Sequence, residues 1–373
     1  MRTLGFTLCG IGIALVALEL LFRLLPVSTS TSAGYYIDPL ILTYPPGHAF
    51  TTSSGWNLQR PQRHRANNFG FVADHDFVRN PEAVALIGDS FVEASMLPPR
   101  ERLAAQLERK LGTRPVYAMG APGTALLDYA ERVRFASQHF AVHDFVLLLE
   151  HGDIAQALCG SGNVNAECLD RKTLEPRVEK LPLPGTAKRL LREFALPQYL
   201  FSQLKLDPER WAATLFTRKR NVPPATTSAG TAPTSGPAPG AAAGAAPGAA
   251  PVTALPGPGS IRDPFVIAPE AIDRVLSEFF TRVKPYRNGG KLVLILIGDA
   301  RAGDPVRDKL IAAANANDAE VYLAGPPLQE LTRNTGLSMR IAPRDPHMNG
   351  VALEAVAAGV APLLDTTTTT PAH

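Results

Sequence analysis

The run Ala83-Val84-Ala85-Leu86-Ile87, closed by Gly88, constrains this chain more than any other segment. It is apolar at every position and bounded by Pro81 and Gly88, so it reads as a strand buried on both faces of a parallel sheet. Further strands are expected from Val116 onward and at 145–149, 291–297 and 320–323. Helical segments are expected at 268–287, 306–314 and 349–364, the last from the spacing of Val351, Val356, Val360 and Leu363. Strands alternating with helices predict an α/β fold, a parallel sheet covered by helices on both sides.

The N-terminus bears on where such a domain works. Residues 4–25 are almost wholly apolar, about the length that crosses a bilayer as a helix, and only Glu19 and Arg23 interrupt them. Four apart near one end, those two share a helix face and reach the headgroup region together. Arg2 precedes the span, and no Lys or Arg follows Arg23 until Arg60. That asymmetry predicts a cytoplasmic N-terminus and export of the remainder. A cleaved signal peptide is the alternative, because residues 28–33 are small and polar enough to hold a cleavage site. Cys9 lies too early for a lipoprotein site, whereas Cys159 and Cys168 are close enough to pair in an oxidising compartment or to remain two thiols.

Two short motifs carry chemistry. Gly88-Asp89-Ser90 follows the first strand, where glycine permits a sharp turn and Ser90 stands at the C-terminal edge of the sheet. Backbone N–H groups at a helix start are unpaired and suit an oxyanion. Serine needs a base, and the base needs a group to fix its tautomer. Asp345-Pro346-His347 supplies both residue types on what reads as a tight loop held by Pro346, anchored by the 349–364 helix. Either motif alone is short enough to be a turn or a surface loop, and their order and context are what couple them.

In that order and context the chain resembles the SGNH/GDSL hydrolase superfamily from about Asn67 onward. Residues 85–91, Ala-Leu-Ile-Gly-Asp-Ser-Phe, look like the first block with its nucleophile Ser90. Residues 117–124 look like the second block, whose glycine, best matched by Gly123, gives an N–H to the oxyanion hole beside that of Ser90. Residues 345–350 are similar to the fifth block, with acid Asp345 and base His347. Asn67-Asn68-Phe69-Gly70-Phe71 resembles a segment of membrane-anchored bacterial members, including those related to alginate O-acetyltransferases, although Val72 stands where those have Arg. The third block departs from the family: Glu150-His151-Gly152-Asp153 replaces Gly-x-Asn-Asp, so Gly152 falls at the oxyanion-donor Asn. Such a loss costs on the order of a hundredfold to a thousandfold in rate unless His151, Gln156 or Asn163 substitutes. Asp89 and Asp153 are further candidates, Asp153 reading first as a cap of the next helix.

The resemblance implies a three-layer α/β/α, flavodoxin-like parallel sheet, the SGNH hydrolase fold, behind an N-terminal transmembrane helix. The expected organisation is an anchor at 1–26, an exported lead-in at 27–79, a hydrolase-like domain at 80–221 and 261–366, a disordered Pro/Ala/Gly/Thr-rich insertion at 222–260 and a tail at 367–373. Residues 187–215 read as a helical insertion, either a lid or a membrane-lying segment. Arg60, Arg63, His64 and Arg65 read as a solvated basic loop, with an anionic polysaccharide or lipid headgroup as the alternative ligand. A net charge of +3 argues for neither nucleic acid nor an acidic polymer as partner. The functional expectation is a serine esterase or O-acyltransferase acting on an acyl ester, acetyl foremost, of a cell-envelope carbohydrate. It needs no metal or cofactor, and it is anchored in the bacterial inner membrane facing the periplasm, or secreted after cleavage. A non-catalytic carbohydrate-binding or docking module on the same fold is the alternative.

Overall fold

Five parallel strands form the central sheet: β1 (Val84–Gly88), β2 (Val116–Gly120), β3 (Asp144–Glu150), β4 (Leu292–Ile297) and β5 (Glu320–Leu323). The computed structural model describes residues 2–29, 32–163, 166–182, 184–204, 206, 267–298, 303–343 and 345–365. The strand order is β5-β4-β3-β1-β2, so the chain runs outward from β1 to β2 and then crosses back to build β3, β4 and β5. This is the flavodoxin-like order, and its switch point lies between the carboxyl ends of β1 and β3. Ser90 leaves the sheet at that point.

The helices that cover or precede the sheet are α1 (Arg2–Leu24), α2 (Leu103–Leu111), α3 (Leu126–Phe140), α4 (Pro269–Arg287), α5 (Pro305–Ala316), α6 (Gly325–Thr335) and α7 (Gly350–Leu364). Successive strand side chains point to opposite faces. Ala85, Ile87, Leu147 and Leu294 pack with α3, α4 and α5 on one face. Val84, Leu86, Leu148 and Ile295 pack with α2, α7 and the short helix Ser90–Glu93 on the other, with Leu328 of α6 against the same cluster. The unbroken apolar runs follow from this, since β1 and β2 are buried at every residue.

The lead-in segment holds two antiparallel hairpins, Gly34–Asp38 with Ile41–Thr43 and Ala49–Ser54 with Gln59–Arg65. The latter corrects the basic-loop reading, because strand alternation leaves Arg63 and Arg65 outside and turns His64 inward, while Arg60, beyond an irregularity in the ladder, is exposed as well. There His64 Nε2 lies 3.0 Å from Thr52 Oγ1, and its Nδ1 accepts from Arg102 Nη2 at 2.9 Å. Burial, with the Arg102 charge, lowers His64 to a pKa of about 4, so it is neutral at pH 7. Asn67 closes the turn of the Asn-Asn-Phe-Gly-Phe segment by accepting from the N–H groups of Phe69 and Phe71.

Cys159 and Cys168 form a disulfide. The helical insertion is shorter and more broken than its apolar content suggests: helix Thr186–Leu191, one turn at Ala195–Pro197 and a wider π-type turn at Gln198–Gln203. Its expected continuation to 215, the expected insertion at 222–260 and the tail at 367–373 lie outside the described residues.

Candidate active site

The position of Ser90, the nucleophile expected from the sequence, depends on two glycines. A Cβ on Gly88 would stand 2.6 Å from Val92 Cγ2 and 2.9 Å from the Leu148 carbonyl oxygen, and one on Gly120, its register partner in β2, would run into the Glu93 backbone nitrogen. Without those side chains the helix Ser90–Glu93 settles directly on the ends of β1 and β2. Asp89 caps it, its Oδ1 accepting the Phe91 N–H at 2.9 Å. Ser90, the first helical residue, is half-buried and its N–H has no acceptor within the helix.

The expected loop around His347 is a short strand instead. Asp345–Met348 pairs antiparallel with Arg340–Ala342 through Met348 and Asp345, so Pro346 falls between the paired positions and its missing N–H disturbs no ladder bond. Asn349 ends the strand and starts α7, its Oδ1 accepting from Ala352 N at 3.0 Å and its Nδ2 donating to Ser338 O at 2.6 Å.

These elements bring together residues 257 apart in sequence. Ser90 Oγ lies 2.9 Å from His347 Nε2, and His347 Nδ1 lies 2.6 Å from Asp345 Oδ1. An ionised carboxylate only accepts, so Nδ1 carries the ring proton and Nε2 is left to accept the serine proton. Asp345 Oδ1 also accepts the His347 N–H at 3.0 Å, and the Phe91 ring packs 4.4 Å from the imidazole. His347 is 5 % exposed, and its imidazole is therefore held in one orientation.

A second group of side chains gathers at the carboxyl ends of the neighbouring strands β1 and β3. Asp153 is the first residue of helix Asp153–Gln156 and Gly152 is its cap position, so Asp153 is not the cap its sequence context suggests. Its Oδ2 instead accepts from Glu150 N at 2.9 Å and from the Tyr129 hydroxyl at 3.1 Å, folding the turn back onto the strand end. Asp89, Glu150 and Asp153 place one carboxylate oxygen each within 4.8 Å of one another. Three charges so close and so buried repel. Burial, and then Asp89, pushes Glu150 up to about 7; burial, Asp89 and Glu150 hold Asp153 well above the usual carboxylate range; Asp89 is raised by its burial. Burial and mutual repulsion thus shift all three toward their protonated forms. Arg132, fully buried, adds a positive charge that acts on Asp89, and its Nη1 donates to the carbonyls of Gly88 at 2.6 Å and Met119 at 3.2 Å. The three acids have the spacing to hold a cation, and Arg132 already opposes their charge.

Two of the three possible stand-ins for the third-block Asn are engaged elsewhere, and Gln156 takes part in one of those bonds through its oxygen alone. His151 Nε2 pairs with Asp304 Oδ2 at 2.9 Å, and Asn163 Nδ2 donates to Gln156 Oε1 at 2.7 Å. Gly123, with φ of 71°, lies on the turn from β2 to α3, one strand over from Ser90. Glu150 and Arg132 escaped the sequence reading. Their one signal was placement: an acid ending an apolar strand, and an arginine on the apolar face of α3 between Tyr129 and Val133.

No family model matches the chain, and no curated protein matches it. Among solved structures it is similar to a member of the lipolytic protein G-D-S-L family from Veillonella parvula DSM 2008, at 10 % identity and TM-score 0.36, covering 75 % of this chain and 97 % of that one. It is also similar to LAE5, an alpha/beta hydrolase enzyme from the metagenome of Lake Arreo, Spain, at 12 % identity and TM-score 0.37, covering 78 % and 99 %. The fold described above rests on strand order and layering, independently of these likenesses.

Proposed function

We propose that this protein is a serine-dependent ester hydrolase or O-acyltransferase working through an acyl-enzyme on Ser90. The observation that carries the reading is the continuous line from Ser90 Oγ through His347 to Asp345 at the switch point of the sheet. Ser90 Oγ attacks the acyl carbonyl while His347 Nε2 takes its proton, and Asp345 holds the ring and stabilises the imidazolium. The oxyanion meets the Ser90 N–H at the helix start, with the Gly123 N–H as the second donor by family resemblance. His347 returns the proton to the leaving alcohol. Water then attacks the acyl-enzyme in an esterase, or a sugar hydroxyl in a transferase, with the same residues serving both.

The substrate proposed is an acyl ester, acetyl foremost, of a cell-envelope carbohydrate, supported by the resemblance of residues 67–71 to membrane-anchored members. The location proposed is the bacterial inner membrane with the domain in the periplasm, supported by α1 and the charge asymmetry around it, with secretion after cleavage as the alternative. One observation favours the second reading, a non-catalytic carbohydrate-binding or docking module. Gly152 offers no side-chain donor where the family has one, and His151 and Asn163 are bonded elsewhere.

Intact-mass spectrometry of the full-length chain in detergent after fluorophosphonate treatment separates the two. An enzyme gives a single adduct that disappears in Ser90→Ala. Absence of an adduct on folded protein overturns the catalytic reading in favour of the module.

A further inference from the structure

We propose that the segment 186–204, together with Trp56, lies in the headgroup layer of the membrane that α1 crosses, as a second contact with the lipid surface; this rests on reading α1 as a retained anchor. Residues 3–24 of α1 are long and apolar enough to span, and none of its most apolar stretch is buried in the protein. At 1.5 Å per residue the 22 residues cover about 33 Å, close to the roughly 30 Å hydrocarbon core. Glu19 lies five residues before Leu24, so it sits about 7 Å from the helix end along its axis, at the border between hydrocarbon and headgroups.

The insertion docks at this depth. Glu19 accepts from Ala195 N at 3.0 Å, from Leu196 N at 2.9 Å and from Arg23 Nε at 2.7 Å, so the acid at the border is fully engaged. Phe22 stacks on Tyr199 with ring centroids 4.2 Å apart, and Arg23 Nη2 donates to Glu193 O at 3.3 Å. A segment bonded to residues 19–23 of a spanning helix shares their depth. Gln203 ties the segment to the domain by accepting from Ser28 N and donating to Ser53 O, and the Tyr199 hydroxyl donates to Trp56 O at 2.9 Å, setting the hairpin turn beside it.

The surface presented there is of the kind that enters an interface. Leu190, Leu191, Phe194 and Phe201 are exposed, and Trp56 is 74 % exposed at the tip of its hairpin. Trp at such a site is at home at headgroup level. Lys188, Arg189 and Arg192 stand in the same segment against the single acid Glu193 among its described residues, which complements anionic headgroups. Of the two sequence-level alternatives for this segment, the contacts with α1 select the membrane surface over a free lid.

The test uses the full-length chain carrying Trp211→Phe, so that Trp56 is the remaining tryptophan, reconstituted into phosphatidylcholine–phosphatidylglycerol vesicles. Replacing a share of the lipid by species brominated near the headgroup end of the acyl chain is expected to reduce Trp56 emission, while aqueous acrylamide quenches it less than in urea-unfolded protein. Carbonate extraction of the same vesicles reports on α1 separately. Protein that resists extraction but shows no bromolipid quenching, with full acrylamide access, overturns the proposal and leaves the anchor standing. Protein released by carbonate overturns the anchor reading itself.

Discussion

Two groups of side chains near the carboxyl end of β1 are built to opposite specifications. On the His347 side a strand and a capped helix deliver one imidazole into a directional line of bonds at 2.9 and 2.6 Å. On the Glu150 side three carboxylates crowd within 4.8 Å, an arginine lies buried nearby, and glycine occupies the position where a hydrogen-bond donor is expected. On the proposed reading, activation of the nucleophile rests on the His347 strand, which belongs to a separate two-stranded sheet, and the third-block contribution to the oxyanion rests on the turn after β3 of the central sheet. On that reading the two can be gained or lost separately: the hydrogen-bonded line through His347 is complete, and glycine replaces the expected third-block donor.

The largest effect expected is on the His347 side. Asp345→Asn keeps the shape but favours the wrong tautomer, so turnover of an acetyl ester is expected to fall by about a thousandfold to ten-thousandfold. Hydrolysis within tenfold of the parent would show that the line is not working as a triad. Next comes a gain on the other side. Gly152 has φ −76° and ψ −20°, open to any residue, so Gly152→Asn is expected to raise kcat by roughly tenfold to a hundredfold with KM little changed. No gain would mean that another group already serves as donor.

A smaller effect concerns protonation. The Glu150 carboxyl ionises near 7 in the fold and near the ordinary 4.5 when unfolded. Between those values the unfolded state loses its proton first, so stability declines as pH rises through the window. Glu150→Gln is expected to add about 1–3 kcal/mol of stability at pH 8 and almost none at pH 4, read from denaturant melts at both. Equal effects at both pH values would remove the acid side's distinguishing property. Smallest is Asn349→Ala, which removes the cap of α7 and is expected to cost about 1 kcal/mol with a modest fall in kcat. A change in kcat without loss of stability would show that Asn349 positions the His347 strand beyond its capping role.

What was legible in the sequence was local. The apolar run before Gly88 is a strand because it is buried on both faces, and the 349–364 spacing is the helix Gly350–Leu364. The hairpins at 34–43 and 49–65 were not legible, since their strands are short and one reads Gln-Arg-Pro-Gln-Arg-His-Arg with no apolar alternation. Helix α6 was missed because it opens on Gly-Pro-Pro and closes on Asn-Thr-Gly, residues that read as turns, and because it buries no residue fully. Glu150 and Arg132 were missed because a charged residue on a buried element is explained only by neighbours distant in sequence.

By itself the sequence determined which strands must be buried, where the chain can turn, and which nucleophile, base and acid are available. Only the tertiary structure decided that Ser90 and His347 meet, that His64 is neutral inside a hairpin, and that Asp153 braces the turn after β3 instead of capping a helix. Periodicity and turn chemistry act over a few residues and are encoded in order along the chain. Strand order, burial and shifted pKa values depend on which distant segments are packed together, and those come into being only when the sheet closes.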